Sequence, residues 1–152
     1  MIKLVKTLFS PCLATLFFSG FSFAAKPDDF FSLPKHDHPQ ILAVHDTLAV
    51  YKGTETMPEN IWPRVSVPFA VFTITDYLNY EIRGKYGREK QKSLNKFLPA
   101  KNQKPTPLQE KLLALKEGQT VLLCWEHRGG GPEGQVVNRL EVITPEQAKR
   151  FR

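Results

Sequence analysis

The first 24 residues have the pattern of a cleaved secretory signal, and cleavage would set how much chain remains to fold. Two lysines open this segment, an uncharged run rich in Leu and Phe follows over 8–23, and Ala24 is a small residue suited to cleavage. Pro11 interrupts the run, which is shorter than the roughly 20 apolar residues of a membrane span. We therefore expect an exported protein, periplasmic or secreted, that begins near Ala25 and has no membrane span after cleavage.

Removal of this segment leaves 128 of the 152 residues, enough for a single domain with its own core. It takes away two lysines and no acid, so the formal net charge falls from +6 to +4. A mild basic excess favours anionic partners. Cys124 becomes the only cysteine, so the chain cannot form an internal disulfide. Its apolar neighbours predict a thiol in the core.

The segments are predicted from hydrophobic periodicity. Residues 25–40 hold three prolines and predict an extended arm, which leaves 41–152 as one small β-rich domain. Alternating apolar residues predict strands over 41–51, 65–75 and 77–82, with a loop over 52–63. Asp46 interrupts the apolar face of the first strand, so we expect a bulge or tight turn near it.

Two helices are predicted between the third and fourth strands. Leu94, Phe97 and Leu98 have helical spacing and predict a short helix over 88–98. A better helix follows, because Thr106 and Gln109 are spaced for a capping box and Pro107 takes the first helical position. Its apolar positions are Leu108, Leu112 and Leu115, and Gly118 ends it.

The last third of the chain predicts a hairpin and a final helix. Strands are expected over 119–127 and 135–143, joined by the glycine-rich loop 128–134, and Thr144 caps a C-terminal helix. The order β-β-β-α-β-β-α predicts an α+β fold, a small five-stranded OB-like β-barrel with a helix between strands 3 and 4. Another α+β arrangement and a β-sandwich are the alternatives.

No catalytic motif occurs, and we assign no catalytic residue, metal site or cofactor. His36, His38 and His45 cluster in sequence as metal-type ligands, yet a polar arm before the first strand explains them more simply. Strand alternation places Cys124 and His127 on opposite faces, so they cannot form a thiol–histidine pair. Glu126 falls on the hairpin with Glu141 and Arg139, which favours a charge network over an acid–base dyad.

The basic stretch 83–104 holds eight cations and one acid, with aromatic residues in or beside it. This composition suits a ligand that carries phosphate or carboxylate groups, although a solvated surface has the same composition. In an OB-like barrel, the loops after the first and fourth strands flank the ligand surface. The predicted ligand-binding residues are therefore Trp62, Arg64, Arg83, Lys85, Arg88 and Arg128.

These features favour an exported non-catalytic binding domain that recognises an anionic ligand, either a polymer or an envelope component, or a partner protein. A small exported hydrolase is the first alternative, and an inhibitor or toxin-neutralising protein is the second. The sequence leaves the ligand and the oligomeric state open.

Overall fold

Five antiparallel strands and two short helices make up the protein in the computed structural model. The structure describes residues 30–56, 68–100, 102–129 and 134–152. The elements are β1 (Ala43–Thr56), β2 (Pro68–Ile82), β3 (Ser93–Phe97), α1 (Pro107–Leu113), β4 (Thr120–His127), β5 (Gln135–Val142) and α2 (Pro145–Phe151). They all belong to one compact unit, Phe31–Arg152; of the unit before it, Met1–Phe30, only Phe30 is described.

The strands form one sheet in the order β3-β2-β1-β4-β5, and each neighbouring pair is antiparallel. The sheet is open, with β3 and β5 at its two edges. The prediction of a mostly β fold with five strands, one helix after the third strand and one at the C-terminus is confirmed at this level. The sheet of the described residues does not close into the predicted barrel.

Two predicted elements of the first half are wrong. The strands expected over 65–75 and 77–82 are one continuous strand, β2, and the expected helix over 88–98 is replaced by the edge strand β3. The expected loop 52–63 begins later, because β1 extends to Thr56. Residues 57–67 lie outside the described part of the chain.

Residues 93–97 form a strand because tertiary pairing overrides a weak helical pattern. Leu94 is buried against the core, opposite Phe72 of β2. Phe97 pairs with Phe69 and stays substantially exposed, so it does not share a buried helical face with Leu94. A short apolar run of this kind fits both the period of a helix and the period of a strand. It forms a strand here because the edge of β2 offers free backbone groups for pairing.

Strand β2 contains two irregularities that reset its alternation against β1. Asp46 and Thr47 pair with Asn79 and Tyr77, so Leu78 is an extra residue between them. A second shift between Leu48 and Ala49 of β1 leaves Thr75 extra. The irregularity expected near Asp46 is thus confirmed in position, and the extra residue belongs to β2. Such bulges change which side chains share a face.

The larger apolar cluster lies on one face of the sheet and includes residues of all five strands and α1. Val44, Leu48, Leu122 and Cys124 are buried on the other face. Leu112 is buried in the larger cluster and Leu108 packs against its border, as predicted. Leu115 packs there too, but it lies beyond α1, which ends at Leu113 and not at the predicted Gly118. Both helices start with the predicted capping boxes, formed by Thr106 with Gln109 and by Thr144 with Gln147. These boxes satisfy backbone N–H groups that the first helical turn leaves free.

A turn after β2 is held against the start of β1. The backbone N–H groups of Arg83 and Gly84 donate to the carbonyl oxygen of Leu42, and Gly87 donates to Gly84. A Cβ atom on Gly87 would overlap the Leu42 carbonyl oxygen. Because this oxygen belongs to the backbone, it cannot rotate away as a side chain could. A Cβ on Gly84 would meet the Leu42 side-chain end, which can rotate away.

We therefore expect Gly87→Ala to lower the free energy of unfolding by about 2 kcal/mol, as overpacking does. Gly84→Ala is the matched control, with a smaller loss. Urea denaturation monitored by tryptophan fluorescence measures both. Equal losses for the two variants would contradict the assigned contact with the Leu42 carbonyl.

Candidate functional site

The pair β1–β4 carries polar side chains on both of its faces at one level of the sheet. His45 lies opposite Trp125, and the next residues, Asp46 and Glu126, project to the other face. We call the first group the front cluster; it consists of His45, Tyr77, Tyr80, Trp125 and His127, with Arg88 beside it. We call the second group the ion cluster; it consists of His36, Asp46, Glu126 and Arg128.

In the ion cluster, the imidazole of His36 lies between two buried carboxylates. Its Nε2 is 2.8 Å from an oxygen of Asp46, and its Nδ1 is 2.8 Å from an oxygen of Glu126. The three side chains are at most 4% exposed. Only an imidazolium can donate from both nitrogens, so this geometry fits a charged ring that neutralises buried negative charge.

Further donors complete the ion cluster. Arg128 lies 2.6 Å from Glu126, Asn138 donates to Glu126, and Asn79 donates to Asp46. Burial opposes ionisation of Glu126, but hydrogen bonds from His36, Arg128 and Asn138 outweigh it and keep its pKa below the usual value. Ionised Glu126 therefore stabilises the fold above about pH 4.5, and this contribution is lost as the pH falls.

The ion cluster attaches the N-terminal arm to the sheet. Residues 32–38 have no regular secondary structure, so side chains must position them. His36 provides one attachment, Arg83 donates to the carbonyl oxygen of His36, and Arg139 donates to that of Ser32. Because the carboxylates are fully enclosed, this arrangement serves to hold the arm and leaves a ligand no access to them.

Cys124 lies on the same face as Asp46, which it pairs with across the strands. Its side chain is buried, as predicted for a core thiol. Burial raises the pKa of the thiol far above its usual value, and the Asp46 carboxylate adds to the effect. A nucleophilic cysteine needs the opposite shift, and His127 points to the other face.

In the front cluster, aromatic rings surround His45. Its ring stacks on Trp125 with centroids 3.7 Å apart and planes 2° from parallel. Tyr80 and Tyr77 approach it at 5.4 and 6.1 Å. These two tyrosines share a face although they are three residues apart, because Leu78 is the extra residue of the bulge.

Four buried nitrogens of the front cluster have no hydrogen-bond partner among the described residues. They are both ring nitrogens of His45, Nε1 of Trp125 and Nδ1 of His127. The pKa of His45 is lowered to about 4, first by burial and then by the positive charges of His127 and Arg88. The backbone carbonyl of Arg88 raises this pKa in part, although it does not meet the distance and angle of a hydrogen bond to the ring. Burial, then Arg88, also lowers the pKa of His127. Both rings are therefore neutral at pH 7.

Arg88 also lines an open cavity of about 260 Å³. The cavity lies along β3 and reaches the start of β5; it is lined by Phe69, Arg88, Gln91, Ser93, Asn95, Phe97 and Gln135. Arg88 is half-buried, and the structure gives its guanidinium no carboxylate within the described residues. Arg83, Arg128, Arg139 and Arg152 each have one.

Three of the other cations in the basic stretch have contacts within the protein. Lys96 is part-buried and donates to the carbonyl oxygen of Gln135, and burial lowers its pKa. Lys90 lies over the rings of Tyr77 and Tyr80, and Lys85 over that of Tyr86.

The predicted ligand-binding residues that the structure describes have different surroundings. Arg88 lines the cavity, Lys85 is exposed, and Arg83 and Arg128 form ion pairs with Glu81 and Glu126. Trp62, Arg64 and the signal segment 1–24 lie outside the described residues.

The three histidines considered as metal ligands are also separated. His36 belongs to the ion cluster, Nδ1 of His38 accepts from the backbone of Gln40, and His45 projects to the opposite face. Among the described residues, no group of three His, Cys, Asp or Glu side chains is arranged to hold a metal ion. Nor does this part of the chain contain a helix of the length and hydropathy needed to cross a membrane.

Sequence reasoning missed the front and ion clusters, although it noticed their residues singly. The available signal was an acid on an apolar strand face at Asp46, together with a second acid in the buried strand β4 at Glu126. Two buried acids on neighbouring strands require a cation, and His36 supplies it. No protein-family model, curated protein or solved structure matches the chain.

Removal of the His36 ring should leave Asp46 and Glu126 enclosed without their shared cation. We expect His36→Ala to lower the free energy of unfolding by about 3 kcal/mol, the cost of breaking a buried ion pair. Adding Asp46→Asn to this variant should restore part of the lost free energy of unfolding, because it removes one of the two buried negative charges left without a cation. Chemical denaturation of the single and double variants measures this coupling.

His38→Ala is the matched control on the same arm, and we expect a change within about 0.5 kcal/mol. If His36→Ala and His38→Ala were equally mild, the ion cluster would not hold the arm.

Proposed function

We propose that the protein is an exported, non-catalytic binding domain that recognises an anionic group of its ligand at Arg88. The observation that carries this proposal is a half-buried arginine that lines a cavity and has no carboxylate partner among the described residues. A guanidinium offers five donors in a planar fork that suits carboxylate, sulfate or phosphate oxygens. An arginine kept for structure alone is expected to have an acceptor, as Arg83 and Arg128 do.

The cavity lining supports a ligand with one anionic group and a polar or apolar body. Gln91, Ser93 and Asn95 offer neutral hydrogen-bonding groups beside Arg88, and Phe69 and Phe97 offer aromatic surface. A few polar groups set among aromatic rings are typical of small-molecule sites. A volume of about 260 Å³ suits one sugar or nucleotide unit better than a long stretch of polymer.

We also propose that the sheet is a partly open OB-like barrel with this cavity at its gap. Its two edge strands approach each other there, since Lys96 of β3 donates to the carbonyl oxygen of Gln135 at the start of β5. OB-fold barrels are partly open and bind oligonucleotides and oligosaccharides on the face that includes the third strand. Ser93 and Asn95 of β3 line the proposed site.

A partner-protein function is the second candidate, favoured by the exposure of Tyr86 and Ile82. Tyr86 is 75% exposed and Ile82 47% exposed, at and just before the 84–87 turn. Large exposed apolar side chains near one turn suit a protein contact. The hydrolase alternative has less support, because the buried thiol of Cys124 is the wrong environment for a nucleophile.

Binding of two anionic probes tests the role of Arg88. We expect the protein to bind a heparin-derived hexasaccharide or an eight-residue oligothymidylate at low salt by isothermal titration calorimetry. Arg88→Gln should weaken that binding at least about tenfold, because a hydrogen-bonded charge contact is worth about 1.5–3 kcal/mol. Higher salt should weaken the wild-type complex as well.

Arg150→Gln is the matched control, because Arg150 lies over the ring of Phe31 and does not line the cavity. It should change the affinity less than about twofold. Absence of binding by both probes, or unchanged affinity in Arg88→Gln, would contradict the proposal and favour the partner-protein function.

Export is tested by intact-mass spectrometry of the protein released from the cytoplasm. We expect a chain that starts at or near Ala25, because small residues stand at the predicted cleavage position. A mass that retains residues 1–24 would contradict the periplasmic or secreted location.

A further inference from the structure

The edge strand β3 has one side of its backbone paired and the other side open. Its neighbour β2 lies on one side, and the bond from the Leu98 N–H to the Pro68 carbonyl oxygen marks a hydrogen-bonded pair of this antiparallel ladder. Such pairs recur at every second residue, and between them the N–H and C=O groups point away from the partner strand. In β3 the outward groups therefore belong to Ser93, Asn95 and Phe97.

These outward groups are accessible, and nearly all of them lack a partner within the described ranges. The one that has a partner there is the carbonyl oxygen of Phe97, to which the Gln109 side chain donates over 3.4 Å. Ser93, Asn95 and Phe97 are all exposed. An open strand edge binds an extended peptide, because each outward N–H and C=O group meets its counterpart in the added backbone.

The same three residues line the cavity that contains Arg88. Phe97 is 41% exposed and offers an aromatic surface for an apolar side chain. Free backbone groups, an exposed ring and a cation without a carboxylate partner in the described structure thus belong to one site. A peptide repeats its donors and acceptors at the spacing of a strand edge, whereas a sugar or nucleotide unit does not.

The backbone on both sides of Arg88 is held in place. Gly87 donates its N–H to the carbonyl oxygen of Gly84. The backbone of Gln91 exchanges two hydrogen bonds with the hydroxyl group of Tyr77, at 2.6 and 2.9 Å. A segment fixed in this way loses less freedom on binding than a mobile loop would.

We propose that the ligand of the Arg88 site is the C-terminal end of an extended peptide, which pairs with the outer edge of β3 and places its terminal carboxylate at the guanidinium. This assignment rests on the proposed function of the Arg88 site, whose ligand class it names. An antiparallel added strand has its C-terminus at the Ser93 end of β3, and Arg88 precedes that end in the chain. One cation at the cavity then corresponds to one carboxylate of the ligand.

Charge favours such a peptide over a second copy of the same edge. Residues 90–109 contain five lysines and no acid. Two β3 edges brought together would therefore place like charges opposite each other, which destabilises a strand pair. The carboxylate of a peptide has the complementary charge.

The first experiment compares two peptides that differ in their terminal group. NMR titration of the isotope-labelled full protein measures the affinity of an N-acetylated hexapeptide of alternating Thr and Val that ends in a free carboxylate. We expect it to bind at least about tenfold more tightly than the same peptide with a C-terminal amide, the effect of one hydrogen-bonded charge contact. Arg88→Gln should remove this difference, whereas Arg150→Gln, the control outside the cavity, should keep it.

N-methylated forms of the carboxylate peptide test the pairing with β3. In an added strand, every second residue directs its N–H towards β3, and the residues between direct theirs to solvent. N-methyl groups on the first set should weaken binding at least about tenfold, because they remove the donors and obstruct the edge. The same number on the second set should leave most of the affinity, and binding should shift the amide resonances of Ser93, Asn95 and Phe97.

Equal affinities of the acid and the amide, or equal effects of the two methylated sets, would overturn this inference. So would a dimer of the free protein that occupies the β3 edge. If the hexasaccharide or the oligothymidylate binds through Arg88 and the carboxylate peptide does not, this inference fails and the Arg88 site stands. Absence of binding by the peptide and by both anionic probes would overturn both proposals.

Discussion

A positively charged imidazole between two buried carboxylates is the interaction on which the rest of this structure depends. Asp46 and Glu126 are on the two central strands and have almost no exposed surface, so each charge would be very costly alone. The sheet supplies Asn79, Arg128 and Asn138, and only the arm supplies His36. The arm is therefore part of the domain's electrostatic balance, although it contains no regular secondary structure in residues 32–38.

Strand alternation links this interaction to the opposite face. His45 and Asp46 are neighbours in β1, and Trp125, Glu126 and His127 are consecutive in β4. Contacts that fix the carboxylates on one face of the sheet therefore also fix the aromatic rings on the other face. The bulge at Leu78 extends the link to β2. It lets Asn79 donate to Asp46 on one face while Tyr77 and Tyr80 approach His45 on the other. The front cluster is thus positioned by contacts on both faces of the sheet.

The features predicted correctly from sequence are those that local chemistry determines. The two capping boxes and the β4–β5 hairpin depend on residues close in the chain, and the structure contains them. The prediction of a helix over 88–98 was wrong, because residues 93–97 become a strand only through pairing with β2. The ion cluster could not be predicted from the sequence for a related reason. His36 and Glu126 are 90 residues apart, and their contact depends on the register between β1 and β4. Asp46 was recognised from the sequence as an interruption of the apolar face of its strand, but His36 was not identified as the partner of this carboxylate.

Several basic residues already have partners within the protein, which bears on the kind of ligand that the proposed site suits. A groove that follows a polymer needs several free cations in a row. Here Arg83, Arg128 and Lys96 are already bonded within the protein, and Lys90 lies over two tyrosine rings. Among the described residues that line the proposed site, Arg88 is the one cation, and neutral polar groups and aromatic rings lie around it. The proposed recognition therefore depends on the fit of one anionic group, and we expect a long polyanion to gain little from its further charges.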